Sequence, residues 1–459
     1  MWVGVLVLYA VGPIHYNEAP QLTTWFFVLA SVSAFAIGGL LATSRGRVGR
    51  VVSAGFAEAV TRRRIDRVVL IAAILGLFGA ACIALDKLLL SGLDFSQGIA
   101  AIRFERVEAT EAGTAASLRR SPLLYLGYLT FAFSVVAFLL YMLRGEELRR
   151  RTIWLAFLSL VGIFAYSYLY GGRTPLGLAV GMGFGAIGVR LLSRQAPLPR
   201  GLTGRFLFAG FLVLTAVYSE AVLADRLMTS GAVDYASLET RLETNNDAKI
   251  APIPGFGTGK AEATSSAGSS EQTPGVSASS SELFLMRVVV NLHYFTHEVP
   301  TLDRALAHNG SLGPYYGAYQ FNLIPALVTR IVPGWNLDRF MIPELQAANV
   351  YGYWPTAWGG MYLDFGVVGA LIATFVCGWL AGVVYSRALR GNDDRARLLM
   401  CYVVAGIIAT PLLPIFAISI SLPILLSLVV TALFLGPGRD RAVTRVAATV
   451  PTRERIQVG

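Results

Sequence analysis

The chain has 459 residues, of which 55% are hydrophobic and only 14% are charged. Soluble domains carry about a quarter charged residues, so this composition excludes an ordinary soluble enzyme and predicts a polytopic membrane protein. The net charge is +10, but the arginines lie mainly in short runs between apolar stretches, which is typical of cytoplasmic loops and argues against nucleic-acid binding.

The apolar stretches predict an all-α protein with about ten membrane spans, since a helix needs about 20 apolar residues to cross a hydrocarbon core of about 30 Å. The first stretch is shorter than a full span, and it lacks the basic residues and cleavage site of a signal peptide. We therefore expect it to remain as a first or partial span. The candidate spans are residues 1–13, 22–42, 67–89, 121–143, 152–170, 175–193, 205–224, 364–386, 397–413 and 418–436.

Basic residues set the predicted orientation, because cytoplasmic loops carry an excess of Lys and Arg. The arginines that mark this side are Arg45, Arg47, Arg50, Arg62, Arg63, Arg64, Arg144, Arg149, Arg150, Arg151, Arg194, Arg200, Arg205, Arg387, Arg390, Arg395 and those of the tail from Arg439 to Arg455. Both termini are then cytoplasmic. The predicted organisation is an N-terminal transmembrane region of about seven spans (1–224), an extracytoplasmic loop (225–363), and a C-terminal region of about three spans with a basic tail (364–459).

The long loop divides by composition. Residues 251–281 consist almost wholly of Gly, Ser, Ala, Thr and Pro and predict a flexible linker. Helix-like apolar spacing returns afterwards, so residues 282–363 are expected to be ordered and to contain short helices. An earlier loop at residues 91–120 carries arginines between apolar residues and predicts a short interfacial helix.

Arginines on the predicted outer side are candidate substrate-binding residues. Arg173 lies in a tight turn, Gly171 to Thr174, between two predicted spans. It either binds an anionic ligand or reaches toward lipid phosphates. A guanidinium suits phosphate or pyrophosphate because its planar fork offers paired donors and does not deprotonate. The other outer arginines, some of which are expected to be solvated loop residues, are Arg103, Arg106, Arg287, Arg304 and Arg330.

Candidate catalytic groups are His293, His297, Glu298 and Asp364. Four residues separate the two histidines, so a helix would place both on one face. The HExxH order and a third ligand are absent, so we predict no metal site, and the pair is either an ordinary helix face or a proton-handling site. Asp364 lies where the outer loop enters a span. It is a candidate base, and the alternatives are a helix cap and a partner for an arginine.

Aromatic residues are dense between positions 315 and 358. Tyr353 and Trp354 are candidate sugar-stacking residues, because flat amphipathic rings pack on sugar faces. The alternative is an aromatic belt at the membrane interface.

Two short motifs complete the pattern: GRTP at Gly172 to Pro175 and YLDFGVVG at Tyr362 to Gly369. With many spans, a very short outer turn and a large late outer segment, the chain resembles the oligosaccharide repeat-unit polymerases (O-antigen polymerase type, Wzy-like). The resemblance covers the topology of the whole chain, but specific residues only at these motifs and around Arg103.

The resemblance implies a metal-independent, inverting glycosyltransferase of the membrane-embedded GT-C type that needs no cofactor. It would transfer a growing glycan from undecaprenyl or another polyprenyl pyrophosphate to a lipid-linked repeat unit, on the outer face of the bacterial cytoplasmic membrane. The implied product is a polysaccharide of the cell envelope. Its implied partners are the lipid-linked glycan, membrane lipids and a chain-length regulator or flippase, with arginines stabilising the departing pyrophosphate.

Three alternatives remain open. An O-antigen ligase or a transferase that uses polyprenyl-phosphate sugars often has an acidic pair in the first outer loop, where this chain has only Glu18. A transporter or flippase of lipid-linked sugars would show paired halves and discontinuous charged helices. In a structural or sensory membrane protein, the outer arginines would be incidental.

Overall fold

A computed structural model describes most of the chain. The predicted interfacial helix at residues 91–120 lies outside the described residues, as does the predicted linker at 251–281 except for its last two residues, which begin a helix. The described residues are 2–17, 19–44, 56–90, 121–170, 172–199, 202–229, 248–250, 280–308, 310–321, 332, 338–350, 355–389, 393–418 and 420–435.

Helices dominate the described part of the chain, and one antiparallel pair of short strands joins β1 (Ile14–Tyr16) to β2 (Ala248–Ile250). The helices, in chain order, are α1 (Trp2–Val11), α2 (Leu22–Ser44), α3 (Phe56–Leu85), α4 (Pro122–Phe131), α5 (Phe133–Arg144), α6 (Arg150–Leu169), α7 (Thr174–Leu192), α8 (Leu202–Thr229), α9 (Ser280–Thr296), α10 (Glu298–Ala307), α11 (Asp338–Ala347), α12 (Thr356–Leu389), α13 (Asp394–Ala409) and α14 (Ser421–Leu435).

Seven helical stretches of the described residues are long and apolar enough to cross a membrane: 22–44, 62–90, 122–147, 150–169, 174–192, 204–224 and 356–389. Their exposed side chains are largely Leu, Val, Ile and Phe, as expected of a lipid-facing surface. The prediction of an all-α polytopic membrane protein is therefore confirmed. The other three predicted spans correspond to α1, α13 and α14, which have only 10, 16 and 15 residues.

Ion pairs and hydrogen bonds define two ends of the bundle. At the arginine end, the Arg144 guanidinium donates two hydrogen bonds to Asp394, at 3.1 and 2.9 Å, and joins the end of α5 to the start of α13. Arg190, which is almost fully buried, donates to Glu146 at 2.8 Å. At the opposite end, Asp303 of α10 accepts hydrogen bonds at the start of α2. We call this the histidine end, since it also holds His293 and His297.

Glycine allows α2 and the later part of α12 to pack closely. A Cβ atom at Gly38 would overlap the carbonyl oxygen of Phe375, and one at Gly378 would overlap the carbonyl oxygen of Phe35. Such small residues let helix backbones approach each other within membranes. The two helices therefore run side by side in the same direction.

The backbone reverses inside α12. The Thr374 hydroxyl donates to the Met361 sulfur at 3.1 Å, although thirteen residues of a straight helix would separate them by about 20 Å. Gly366 has φ 66° and ψ −176°, a combination that essentially only glycine adopts. Residues 356–365, here α12a, therefore fold back along residues 367–389, here α12b, and α12b alone remains long enough to cross a membrane.

Several helix ends meet at Thr410, the residue that follows α13. Its carbonyl oxygen accepts from the N–H of Ala357 at the start of α12a at 2.9 Å. Its hydroxyl accepts from the Trp2 indole of α1 at 3.1 Å. The hydroxyls of Tyr402 and Ser421 lie 2.5 Å apart, so α14 begins beside the middle of α13. Two short helices and one reversed helix thus meet at Thr410, and a third short helix begins nearby against α13.

Replacing Gly366 with alanine should destabilise the protein by about 1–3 kcal/mol, because the native backbone angles are strained for any residue with a Cβ atom. The space around Gly366 is open, so the loss would come from the backbone and not from a clash. Thermal unfolding in detergent measures it. Gly188→Ala is the control, since Gly188 lies within α7 and also has open space. Equal unfolding temperatures for the two variants would contradict the reversal.

Candidate functional site

The site is built on α9 and α10, which run almost end to end. Pro300 lacks an N–H and removes one helical hydrogen bond at the junction. His297 lies between the two helices, accepting from the Thr301 N–H and donating its own N–H to the His293 carbonyl. The helix α9 packs between β1 and α8, because Met286 and Val289 form a buried cluster with Ile14 and Leu223. This packing carries the two histidines to the histidine end of the bundle.

Arg173 is fixed onto α9. Its Nη1 donates to Oδ1 of Asn291 at 3.1 Å, and its guanidinium carbon lies 5.2 Å from the centre of the Tyr294 ring. A cation over an aromatic face at this distance is attracted by the ring. Asn291 is neutral, so these contacts position the guanidinium without neutralising its charge.

Two further predicted arginines lie on the same pair of helices. Arg287 is one helical turn before Asn291 and so shares its face of α9. The Nε atom of Arg287 is buried and has no hydrogen-bond partner among the described residues. Arg304 on α10 donates to the Thr301 hydroxyl at 3.4 Å. The structure therefore places Arg173 and Arg287 against one helix face, with Arg304 on the next helix.

His297 uses both ring nitrogens within the protein. Its Nδ1 lies 2.9 Å from the carbonyl oxygen of His293, which can only accept, so Nδ1 carries a proton. Its Nε2 lies 3.2 Å from Oε1 of Glu298. This is a close contact and not a hydrogen bond, since Oε1 of Glu298 has no hydrogen-bond partner among the described residues. An unprotonated Nε2 and an ionised carboxylate would repel each other at this distance, so one proton on the pair is favoured.

Burial decides where that proton lies. Burial lowers the pKa of His297 to about 4, although the nearby His293 carbonyl opposes this shift. Burial raises the pKa of Glu298 well above its usual range. The backbone N–H of Thr356 acts in the opposite direction and lowers this pKa, but its effect is smaller. Both directions favour a neutral imidazole and a protonated carboxylic acid. Glu298 is completely buried and is therefore not placed to act as a base on a substrate in this conformation.

His293 is placed differently. Its Nδ1 lies 3.3 Å from the hydroxyl of Tyr16 on β1, and that hydroxyl lies 2.8 Å from Oγ1 of Thr296. The ring is only partly buried. Burial and the neighbouring His297 lower its pKa to about 3, so it is neutral near pH 7. Of the two histidines, it is the one that retains a ring nitrogen, Nε2, without a described protein partner.

Sequence reasoning missed Tyr16. It lies in a three-residue strand far from the histidines along the chain, and only the pairing of β1 with β2 and the packing of β1 on α9 bring it to them. No motif marks it.

One aromatic ring joins the arginine group to the histidine group. The Tyr294 ring lies 5.2 Å from the Arg173 guanidinium carbon and 5.7 Å from the His297 ring, measured to the ring centres. The rings of His297 and His293 are 5.0 Å apart. Four of the residues predicted separately, Arg173, His293, His297 and Glu298, thus belong to one connected cluster.

Asp364 lies apart from this cluster and organises the backbone. Its two carboxylate oxygens accept from the N–H groups of Tyr319 and Gln320, at 2.9 and 3.0 Å, and the Asp364 carbonyl accepts from Tyr316 at 2.9 Å. The carboxylate is completely buried. This geometry favours a positioning role for Asp364 over that of a base, because it holds residues 316–320 against α12a.

The remaining predicted substrate-binding residues, Arg103, Arg106, Arg330, Tyr353 and Trp354, lie outside the described residues. Within the described ranges, no three His, Cys, Asp or Glu side chains are grouped so that they could hold a metal ion. Comparison with protein-family models, curated proteins and solved structures gives no match to this chain.

The Glu298→Gln variant should become increasingly more stable than the wild type as the pH rises from about 5 to about 8. The raised pKa means that the folded wild type keeps a proton that the unfolded chain loses above the ordinary value of 4.5. The wild type therefore loses stability over this range, by at most about 1.4 kcal/mol per pH unit, whereas glutamine does not titrate. Unfolding temperatures across the range measure the difference.

The control for this test is Glu220→Gln, which changes an exposed carboxylate of α8. Its unfolding temperature should stay at a constant offset from that of the wild type. A constant offset for Glu298→Gln as well would show that Glu298 is ionised in the folded protein.

Proposed function

We propose that the chain is a membrane glycosyltransferase that polymerises polyprenyl-pyrophosphate-linked oligosaccharide repeat units into a cell-surface polysaccharide. The reaction is an inverting glycosyl transfer with loss of polyprenyl pyrophosphate. The proposal rests on the resemblance at Gly172–Pro175 and Tyr362–Gly369, and on one structural observation about the arginines of the histidine end.

That observation is a contrast between the two ends of the bundle. At the arginine end, Arg144 pairs with Asp394 and Arg190 pairs with Glu146, so their charges are neutralised within the protein. At the histidine end, Arg173 is held by a neutral amide and an aromatic ring, and Arg287 has no carboxylate partner among the described residues. Arginines that have no carboxylate partner among the described residues favour an anionic ligand, and a pyrophosphate matches their paired donors.

The same arrangement supplies the other groups that the reaction requires. A departing pyrophosphate gains negative charge, which a preorganised guanidinium stabilises in the transition state. The attacking sugar hydroxyl must lose a proton, and His293 is neutral near pH 7 and partly exposed, so it can accept one. Its pKa of about 3 makes it a weak base at rest, and a bound anion would raise that pKa toward the working pH. We assign Arg173 and Arg287 to the pyrophosphate and His293 to the hydroxyl.

The positive-inside rule supports an outward-facing histidine end. The short basic segments between spans, such as Arg149 to Arg151, belong to the arginine end. We therefore place the arginine end in the cytoplasm of a bacterial cell and the site on the extracytoplasmic side, where lipid-linked repeat units are joined in this class of enzyme.

A second candidate, a transporter of lipid-linked sugars, is favoured by the reversed helix α12a and by the junction of short helices at Thr410, since transporters bind substrates at discontinuous helices. Detergent micelles separate the two candidates because they have no two sides. The purified polymerase should lengthen lipid-linked glycans in micelles. A transporter would leave them unchanged there and would move them only across a bilayer.

Replacing Arg173 with alanine should lower the polymerisation rate by about 10²–10³-fold, the usual cost of removing one donor that stabilises transition-state charge. Arg173→Lys should recover part of the rate, because it restores the charge without the planar fork. Glycan chain lengths formed by purified protein from lipid-linked repeat units measure both effects.

The matched control is Arg151→Ala, which removes an exposed arginine at the opposite end of the bundle. It should produce chains of wild-type length. Wild-type chain lengths from a properly folded Arg173→Ala variant would refute the assignment of Arg173 to the pyrophosphate.

A further inference from the structure

The hydrogen bonds around Tyr16 form a chain that ends on a backbone carbonyl. His293 Nδ1 lies 3.3 Å from the Tyr16 hydroxyl, and the Tyr16 hydroxyl lies 2.8 Å from Thr296 Oγ1. Thr296 Oγ1 in turn lies 3.1 Å from the carbonyl oxygen of Leu292. Each hydroxyl has one proton to donate, so the direction of the whole chain follows from its end.

Only one direction makes all three hydrogen bonds. The Leu292 carbonyl has no proton, so Thr296 must donate to it. Thr296 then accepts from Tyr16, and the Tyr16 oxygen accepts from Nδ1 of His293. The opposite direction, with Tyr16 donating to His293 and Thr296 donating to Tyr16, loses the bond to Leu292. Nδ1 of His293 is therefore the protonated ring nitrogen, and Nε2 carries the lone pair.

We propose that Tyr16, supported by Thr296, is a positioning residue that holds His293 in the Nδ1-protonated form and leaves Nε2 as the proton acceptor for the substrate hydroxyl. The assignment of the hydroxyl to a glycan rests on the proposed function. The hydrogen-bond direction does not depend on it. A second group that fixes the tautomer of a catalytic histidine is a general device in enzymes.

The surroundings of the ring are consistent with this role. The Tyr16 ring stacks on Tyr9 of α1 at 5.3 Å and on His293 at 6.2 Å, so the hydroxyl is held between two elements. The titratable groups nearest the pair are His297, 5.0 Å from His293 between ring centres, and Tyr9 of α1 with Glu298 and Arg304 of α10, all close enough to influence Tyr16. Of these, Arg304 carries a charge near pH 7, because burial keeps Glu298 protonated. A bound pyrophosphate would add negative charge and raise the proton affinity of His293 from its low resting value.

The proposed glycosyl transfer replaces one bond at the anomeric carbon with another. Nε2 of His293 takes the proton of the acceptor hydroxyl as the hydroxyl oxygen bonds to the anomeric carbon of the donor glycan. The bond from that carbon to the pyrophosphate oxygen breaks, and its electron pair leaves with the polyprenyl pyrophosphate. The imidazolium then releases the Nε2 proton to water. Nδ1 stays protonated throughout and keeps donating its hydrogen bond to the Tyr16 oxygen.

Two substitutions separate this arrangement from simple packing. Tyr16→Phe keeps the stacked ring but removes the hydroxyl, so His293 loses its tautomer preference. Thr296→Val removes the acceptor for the tyrosine proton, so Tyr16 turns and donates to Nδ1, which forces the proton onto Nε2. Thr296→Val should therefore be the more severe change. Tyr9→Phe is the control, because it removes a hydroxyl on the other side of the Tyr16 ring.

Nitrogen-15 NMR of the histidine rings in detergent micelles reads the tautomer directly. The chain has four histidines, so His293→Gln identifies the relevant signals. We expect Nδ1-protonated His293 in the wild type and in Tyr9→Phe, a mixture in Tyr16→Phe, and the Nε2-protonated form in Thr296→Val. An Nε2-protonated wild type, or identical spectra for all four proteins, would overturn the proposal.

Polymerisation by the same samples tests the catalytic consequence. We expect kcat to fall by about 10–10²-fold for Tyr16→Phe and by about 10²–10⁴-fold for Thr296→Val, with KM unchanged, in line with the loss of an orienting partner and of a general base. Unaltered kcat in variants with an altered tautomer would overturn the catalytic role. Absence of polymerisation by the wild type would instead refute the proposed function and leave the NMR result to decide the hydrogen-bond direction.

Discussion

The reversal of the chain at Gly366 is the constraint on which the histidine end of the bundle depends. It turns α12a back along α12b and carries the Asp364 carboxylate to the N–H groups of Tyr319 and Gln320. It also directs the N–H of Thr356 at Glu298 and joins the start of α12a to Thr410. A residue with a Cβ atom would strain this conformation, so one glycine supports the loop, the buried carboxyl group and the helix junction together.

Around this framework the polar groups divide into two kinds. Asp364 and Nδ1 of His297 form hydrogen bonds within the protein, which is the usual requirement for buried polar groups, and Glu298 is buried in contact with His297. Arg173 and His293 are held by neutral partners that fix their direction, and they keep donor or acceptor capacity that no described residue uses. Residues of the first kind maintain the shape of this region, whereas residues of the second kind are the ones that we propose for a ligand. This distinction separates groups that the sequence pattern treats as equal candidates.

Prediction from the sequence succeeded for features that depend on a single residue type or on the spacing of apolar residues along the chain. The exclusion of a soluble protein and the positions of the long spans follow from continuous apolar stretches. The choice of Arg173 as a candidate follows from a charge in a turn between two apolar helices and stays a prediction, to which the structure adds its contacts with Asn291 and Tyr294. Tyr16 could not be found in this way, because its position beside His293 arises from a three-residue strand that packs against a helix 277 residues further along the chain.

The sequence by itself determined that this is a helical membrane protein and which charged residues stand near the ends of its helices, because apolar length and charge are local properties. Only the tertiary structure decided that the chain reverses at Gly366, that Asp364 binds backbone N–H groups, and that His297 and His293 have different hydrogen-bond partners. These outcomes depend on which donor faces which acceptor across elements distant in the chain, such as Glu298 and Thr356 or Tyr16 and His293. No local pattern encodes those pairings, since they follow from packing.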